Sequence, residues 1–214
     1  MIVCGNDILP GVKWVAKMLA LALAAPPGLA ASVAVSVRDP LGNPLEDVVV
    51  WAMPKAAAPL RTRPAAVEQR NKAFIPLVTV VQTGTLVNFP NRDEIRHHVY
   101  SFSPAKRFEI KLYAGTPADP IAFDKPGEVV LGCNIHDHMI AYIYVVDSPW
   151  FAKTDRDGNA RIEGLPAGEY EVNGWYYAQD KGPAAVPVGL RSDEAGAAAF
   201  SIGRRAMPPR PVAK

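Results

Sequence analysis

Between positions 127 and 146 the chain reads GEVVLGCNIHDHMIAYIYVV. Cys133, His136, His138 and Met139 share a short polar stretch with an apolar run before it (129–131) and another after it (140–146). A thiolate, an imidazole and a thioether this close together form a soft donor set, and thiolate with thioether selects copper over magnesium or calcium. Two histidines and a cysteine in a trigonal array, with a weak axial methionine, is one such copper arrangement. The stretch provides Cys133, one histidine and Met139, so a further histidine must come from elsewhere in the chain. Only His97 and His98 lie outside it, at the head of another strand-like run.

Other chemistries fit less well. Zinc accepts cysteine and histidine, but Met139 then has no role. Cys133 and His136 could be a nucleophile and its base, yet no set of oxyanion donors accompanies them. The plainest alternative is a buried, inert cysteine. The 155–158 run Asp-Arg-Asp-Gly hints at calcium, but an EF-hand register puts Lys153 and Gly164 at ligand positions. It reads instead as a hairpin turn.

The elements that must hold these residues are strands. Hydrophobic residues make up 49% of the chain, enough for a packed core, and 21 prolines and 16 glycines break it into short runs. The stretch 32–39 alternates, with Val33, Val35 and Val37 on one face. The stretch 47–52 is more continuously apolar and reads as a more buried strand. Residues 54–70 carry no periodicity and read as a linker. Strand signals follow over 74–89, interrupted at Gly84, then over 97–102 and 107–112, with 114–126 read as a loop. Beyond the metal stretch, 161–163, 170–172 and 198–202 are strand-like. No amphipathic helix is legible after residue 31.

Residues 1–31 read as an export signal: Lys13 and Lys17, a short apolar stretch, then small residues at Gly28, Ala30 and Ala31. The stretch is too short and too broken by proline for a membrane span, and none follows in the mature chain. Export leaves Cys133 as the one cysteine of the mature protein, because Cys4 lies in the signal. A lone thiol in an oxidising compartment survives when buried or bound to metal. With 23 basic and 21 acidic residues there is no electrostatic case for nucleic acid.

On these residues the stretch 74–146 resembles the cupredoxins, the blue copper proteins that include plastocyanin, pseudoazurin and amicyanin. The run 83–89 (TGTLVNF) is similar to their strand before the first ligand. Arg96-His97-His98-Val99 is similar to the family's Pro-His-Asn-Val, which puts the first ligand on His97. Cys133, His136 and Met139 match the second part of the site, with the amicyanin-like short spacing before Met139. Arg96, His98 and Ile135 depart from the family's Pro, Asn and Pro. The flanking stretches SVAVSVRDPLGNPLEDVVVWA and TDRDGNARIEGLPAGEYEV look like a carboxypeptidase regulatory-like β-sandwich. The chain as a whole is similar to cupredoxin proteins labelled as methylamine-utilisation proteins.

The resemblance implies an all-β protein: a cupredoxin Greek-key β-sandwich at 61–147, inserted in a smaller sandwich made of 32–60 and 148–203, with a disordered tail at 204–214. It implies one type 1 copper ion held by His97, Cys133, His136 and Met139, with the backbone N–H of His98 donating to the Cys133 sulfur. The expected role is a periplasmic, non-enzymatic electron carrier serving a dehydrogenase or cytochrome. A copper-delivery protein, or a surface binding module with a structural metal, is the alternative. The expected sandwich requires the strands of 32–52 to pair with those of 153–175.

Overall fold

The computed structural model describes residues 31–117, 119–192 and 195–205. All but the last residue of the expected export signal, and most of the expected tail, lie outside these. Among the described residues every regular element is a strand and none is a helix, so no helix there is long and apolar enough to cross a membrane. The protein is all-β. Its strands are β1 (Ala31–Arg38), β2 (Val49–Pro54), β3 (Ala65–Ala66), β4 (Glu68–Arg70), β5 (Ala73–Ile75), β6 (Val78–Gln82), β7 (Thr85–Asn88), β8 (His97–Ser103), β9 (Lys106–Tyr113), β10 (Ile121–Phe123), β11 (Gly127–Gly132), β12 (Ile140–Val146), β13 (Phe151–Lys153), β14 (Asn159–Leu165), β15 (Gly168–Trp175), β16 (Ala184–Leu190) and β17 (Ala195–Ser201).

Two hydrophobic cores result. In one, the sheet β6-β12-β11-β8-β9 faces the sheet β10-β7-β3. Val99, Val129, Leu131, Ala141, Ile143 and Val145 meet Val87, Phe89 and Phe123 there, and Cys133 and Met139 belong to the same cluster. In the other, the sheet β14-β1-β17 faces the sheet β13-β2-β15-β16. Val33, Val35, Val37, Val172, Ile162, Leu165 and Phe200 fill it.

The outer strands come from both ends of the chain. β1 pairs antiparallel with β14, Val33 opposite Ile162, and parallel with β17, Val33 opposite Gly196. β2 lies between β13 and β15, with Trp51 opposite both Phe151 and Asn173. The turn before β14 carries the Asp-Gly signal. Asp155 Oδ1 accepts from the N–H groups of Asp157 and Asn159, each at 2.9 Å, so that carboxylate caps a turn. Gly158 has φ +73, and a Cβ there would stand 2.4 Å from the Val37 carbonyl, so only glycine fits.

The two cores share a wall. One face of β12 points Tyr142 and Tyr144 away from the first core into the second cluster. Tyr144 stacks on Trp175 with ring centroids 4.4 Å apart and meets Trp51 at 5.1 Å. Tyr142 stacks on Tyr177 at 5.0 Å. The β2 sheet is therefore covered on both faces, which is why Val49, Val50, Trp51 and Ala52 are all buried rather than alternating.

Several expectations are corrected. The supposed linker 54–70 contains β3 and β4, whose pairing is stabilised by the neighbouring β7 and β5 rather than by any periodicity of their own. The supposed loop 114–126 contains β10, paired with β7. β16 reads AAVPVGL and has weak strand propensity, yet it pairs along its whole length with β15 as an edge strand, where Pro187 is tolerated. The first described strand starts at Ala31, which pairs with Leu165. The expected tail at 204–214 starts too early. Arg204 reaches Asp39 at 3.0 Å, and Arg205 donates to the Ala178 and Tyr177 carbonyls.

Candidate metal centre

β11 and β12 run antiparallel, Gly132 opposite Ile140, and the segment joining them forms one end of the first core. The Met139 N–H donates to the His136 carbonyl at 2.8 Å and closes a tight turn. That turn folds Cys133 and Met139 inward, 2% and 1% exposed. His136 stays half-buried at the rim, and His138 is exposed beside it with ring centroids 5.8 Å apart. β8 crosses next to β11 and contributes His97, whose ring lies 5.1 Å from that of His136.

His97, Cys133 and His136 come together: one ligand atom from each lies within 4.8 Å of the others. The spare valences fit a cation. Nδ1 of His97 and Nδ1 of His136 are buried without a hydrogen-bond partner, a state that costs free energy unless something occupies those lone pairs. The buried Cys133 thiol belongs to the same cluster. Two imidazole nitrogens and one thiolate suit copper or zinc. Met139 packs in the same core and lines the same groove as Cys133.

Adjacent side chains on a strand point to opposite faces, and the two histidines of β8 obey this. His97 enters the site. His98 points away, buried, with Nε2 2.9 Å from Glu109 Oε1 and its ring against Tyr100 at 5.6 Å. His98 is outside the cluster and is not solvated. The ladder between β8 and β9 shifts register between His97 and Val99, a bulge at the ligand position.

Sequence reading missed the residues that hold His97. Asp93 Oδ2 lies 2.7 Å from His97 Nε2, and the only signal was an acid four residues before a histidine. Asn91 anchors the loop: its Nδ2 donates to the Ile95 and Tyr113 carbonyls, and its Oδ1 accepts from the Asp93 N–H. Tyr113 donates to the Phe89 carbonyl at 2.6 Å and contacts Gln69, and burial pushes its hydroxyl up to about 12.

Burial, helped by the neighbouring His97 ring and by Lys72 and His138, holds His136 below the usual imidazole range. Its neutral form, the one able to donate a lone pair, therefore persists to lower pH than in a free histidine. Asp93 sits below the usual carboxylate range. Burial pulls it up, but the amides of Lys72 and Asn71 and the His97 ring together outweigh that.

No protein-family model matches this chain, and no curated protein matches it. Solved structures do. Its structural neighbours are cupredoxins. One is the copper-containing nitrite reductase of Thermus scotoductus SA-01, at 27% identity over 52% of this chain, with a TM-score of 0.37. The match spans only 28% of the length of that reductase. A purple cupredoxin from Nitrosopumilus maritimus aligns at 19% identity over 38% of this chain and 99% of its own, with a TM-score of 0.35. A pseudoazurin from Sinorhizobium meliltoi aligns at 24% identity over 40% of this chain and 76% of its own, with a TM-score of 0.31.

The positions of the two β8 histidines set an expected result. His97→Ala should cost the cluster one of its three convergent donors and weaken metal binding, whereas His98→Ala, outside the cluster, should keep it. Copper titration followed by absorption spectroscopy checks this, and the reverse outcome would move the ligand to His98.

Proposed function

We propose that this protein is a single-electron carrier whose one copper ion is held by His97, Cys133 and His136, with Met139 as the weak axial ligand. The observation that carries the reading is the convergence of His97, Cys133 and His136, one ligand atom of each within 4.8 Å of the others, with a buried, unpartnered Nδ1 on each imidazole. Bound there, copper supplies a one-electron couple. The chain's part is to keep the donors fixed and dry. Cys133, Met139 and His97 are almost wholly shielded from solvent and sit on strands or in a hydrogen-bonded turn, so little rearrangement accompanies a change of charge.

His136 at the rim and exposed His138 offer the short path to a partner surface, which suits a redox partner such as a dehydrogenase or cytochrome. A rigid, preset site favours carriage over delivery, because handing on an ion requires ligands that open. We place the protein in the periplasm and read it as a carrier rather than an enzyme, with 61–147 as the copper unit and 32–60 with 148–203 as a supporting sandwich. The test is the copper-loaded full chain. An intense thiolate-to-copper band with a reversible one-electron wave is expected. A colourless protein that holds zinc or Cu(I) and shows no such wave would overturn the reading.

A further inference from the structure

Asp93 meets His97 at the ring's Nε2, and both of its carboxylate oxygens accept backbone hydrogen bonds as well. Oδ2 lies 2.7 Å from His97 Nε2 and accepts from the Lys72 N–H at 2.9 Å, while Oδ1 accepts from the Asn71 N–H at 2.6 Å. Asn71 and Lys72 form the tip of the β4–β5 hairpin, and both have left-handed backbone, φ 54 and 56. Two successive positive φ values make a primed hairpin turn, and neither residue is glycine. This turn aims two successive amides at one carboxylate. The hairpin is also tied to the Asp93 loop through the Arg92 N–H, which donates to the Gln69 carbonyl.

An ionised carboxylate only accepts hydrogen bonds, so the contact with His97 requires the proton on Nε2. In the neutral ring, the form able to bind a metal, the Nδ1 lone pair is then bare, and Nδ1 is buried without a hydrogen-bond partner. We propose that Asp93 is a positioning residue for the metal centre: clamped by the Asn71–Lys72 hairpin tip, it fixes the tautomer and orientation of His97 and biases the site toward the more highly charged Cu(II). The inference rests on the proposed copper reading for its second half, but the tautomer belongs to the metal-free chain. The bias follows from charge. A carboxylate accepting from the ligand's other ring nitrogen makes the imidazole a stronger donor and places negative charge near the ion, and partners of this kind typically carry 10–100-fold in metal affinity.

The first measurement uses the metal-free wild-type chain. Nitrogen-15 NMR of labelled histidine should show His97 protonated at Nε2 and bare at Nδ1. An Nδ1-protonated or mixed His97 would overturn the proposal, whatever metal the protein binds. The second uses Asp93→Asn, which removes the charge and one acceptor. Its His97 should become a tautomer mixture. Its Cu(II) affinity should fall by about 10–100-fold relative to Cu(I), raising the reduction potential by about 59 mV for each tenfold. Asn71→Gly keeps the amide, changes no charge and relaxes the left-handed turn, so its tautomer and potential should stay near wild type. A folded Asp93→Asn protein with unchanged tautomer and potential would sink the proposal, as would an Asn71→Gly protein that shifts as far as Asp93→Asn. Absence of any copper–thiolate band in the wild type would instead count against the copper reading alone.

Discussion

Cys133→Ser is expected to leave the β architecture in place and to remove the metal chemistry. The side chain is 2% exposed and packs with Val129, Leu131 and Met139, so an almost isosteric serine keeps the packing. The cost to folding is that of a buried hydroxyl lacking a good partner, about 1–3 kcal/mol. The cost to the site is larger. Serine at neutral pH offers no anionic sulfur, and the soft donor that selects copper is gone. The loss should exceed the ~10–100-fold typical of changes to outer-shell partners. Far-UV circular dichroism should match wild type, while the thiolate-to-copper band and the one-electron wave vanish. A variant that retains a thiolate-type spectrum would show that Cys133 is not the ligand.

Trp175→Ala should destabilise the core it packs in and uncouple that core from the part that carries the metal site. Trp175 is 3% exposed and stacks on Tyr144, with Tyr142 at 6.3 Å. Truncating a buried aromatic typically costs about 3–5 kcal/mol, a large share of the roughly 5–15 kcal/mol that holds a domain folded. Because β12 lends one face to each core, the wild-type protein should unfold in a single transition in denaturant, seen alike by copper absorbance and by tryptophan fluorescence. In the variant the midpoint should fall and the two signals should separate, the copper signal persisting to higher denaturant. Coincident transitions at an unchanged midpoint would mean that the Tyr144–Trp175 stack does not join the cores energetically.

The chemistry-bearing residues were legible because the donor types are rare and closely spaced. Cys133, His136 and Met139 share one turn, and strand alternation separates His97 from His98. The valine alternation of β1 and the Asp-Gly turn before β14 were equally plain. Most of what was illegible has one cause: pairing imposed from outside the segment. β3 and β10 are too short to carry a pattern and exist because a neighbouring strand offers unpaired amides, while the alternation of Val186, Val188 and Leu190 in β16 is masked by the small residues and Pro187 between them. Asp93 looked like any turn acid. Its role appears only when the tip of a hairpin some twenty residues earlier is brought against it, as the Asn71 and Lys72 contacts show.

The order of strands has a consequence for biosynthesis. Val48 donates to Thr154 across 106 residues of chain, and among the described residues the sheet partners of β1 are β14 and β17. As the polypeptide emerges, β3 through β12 can close their own sheets while the two leading described strands lack their sheet partners, β2 having only the Trp51–Tyr144 contact with β12 to cover it. Contacts so distant in sequence form slowly, and exposed apolar strands in that interval are prone to intermolecular pairing. The ligand cluster would therefore be assembled before the chain as a whole is safe from aggregation. The interval before the last third of the chain arrives is therefore the one in which β1 and β2 lack their sheet partners.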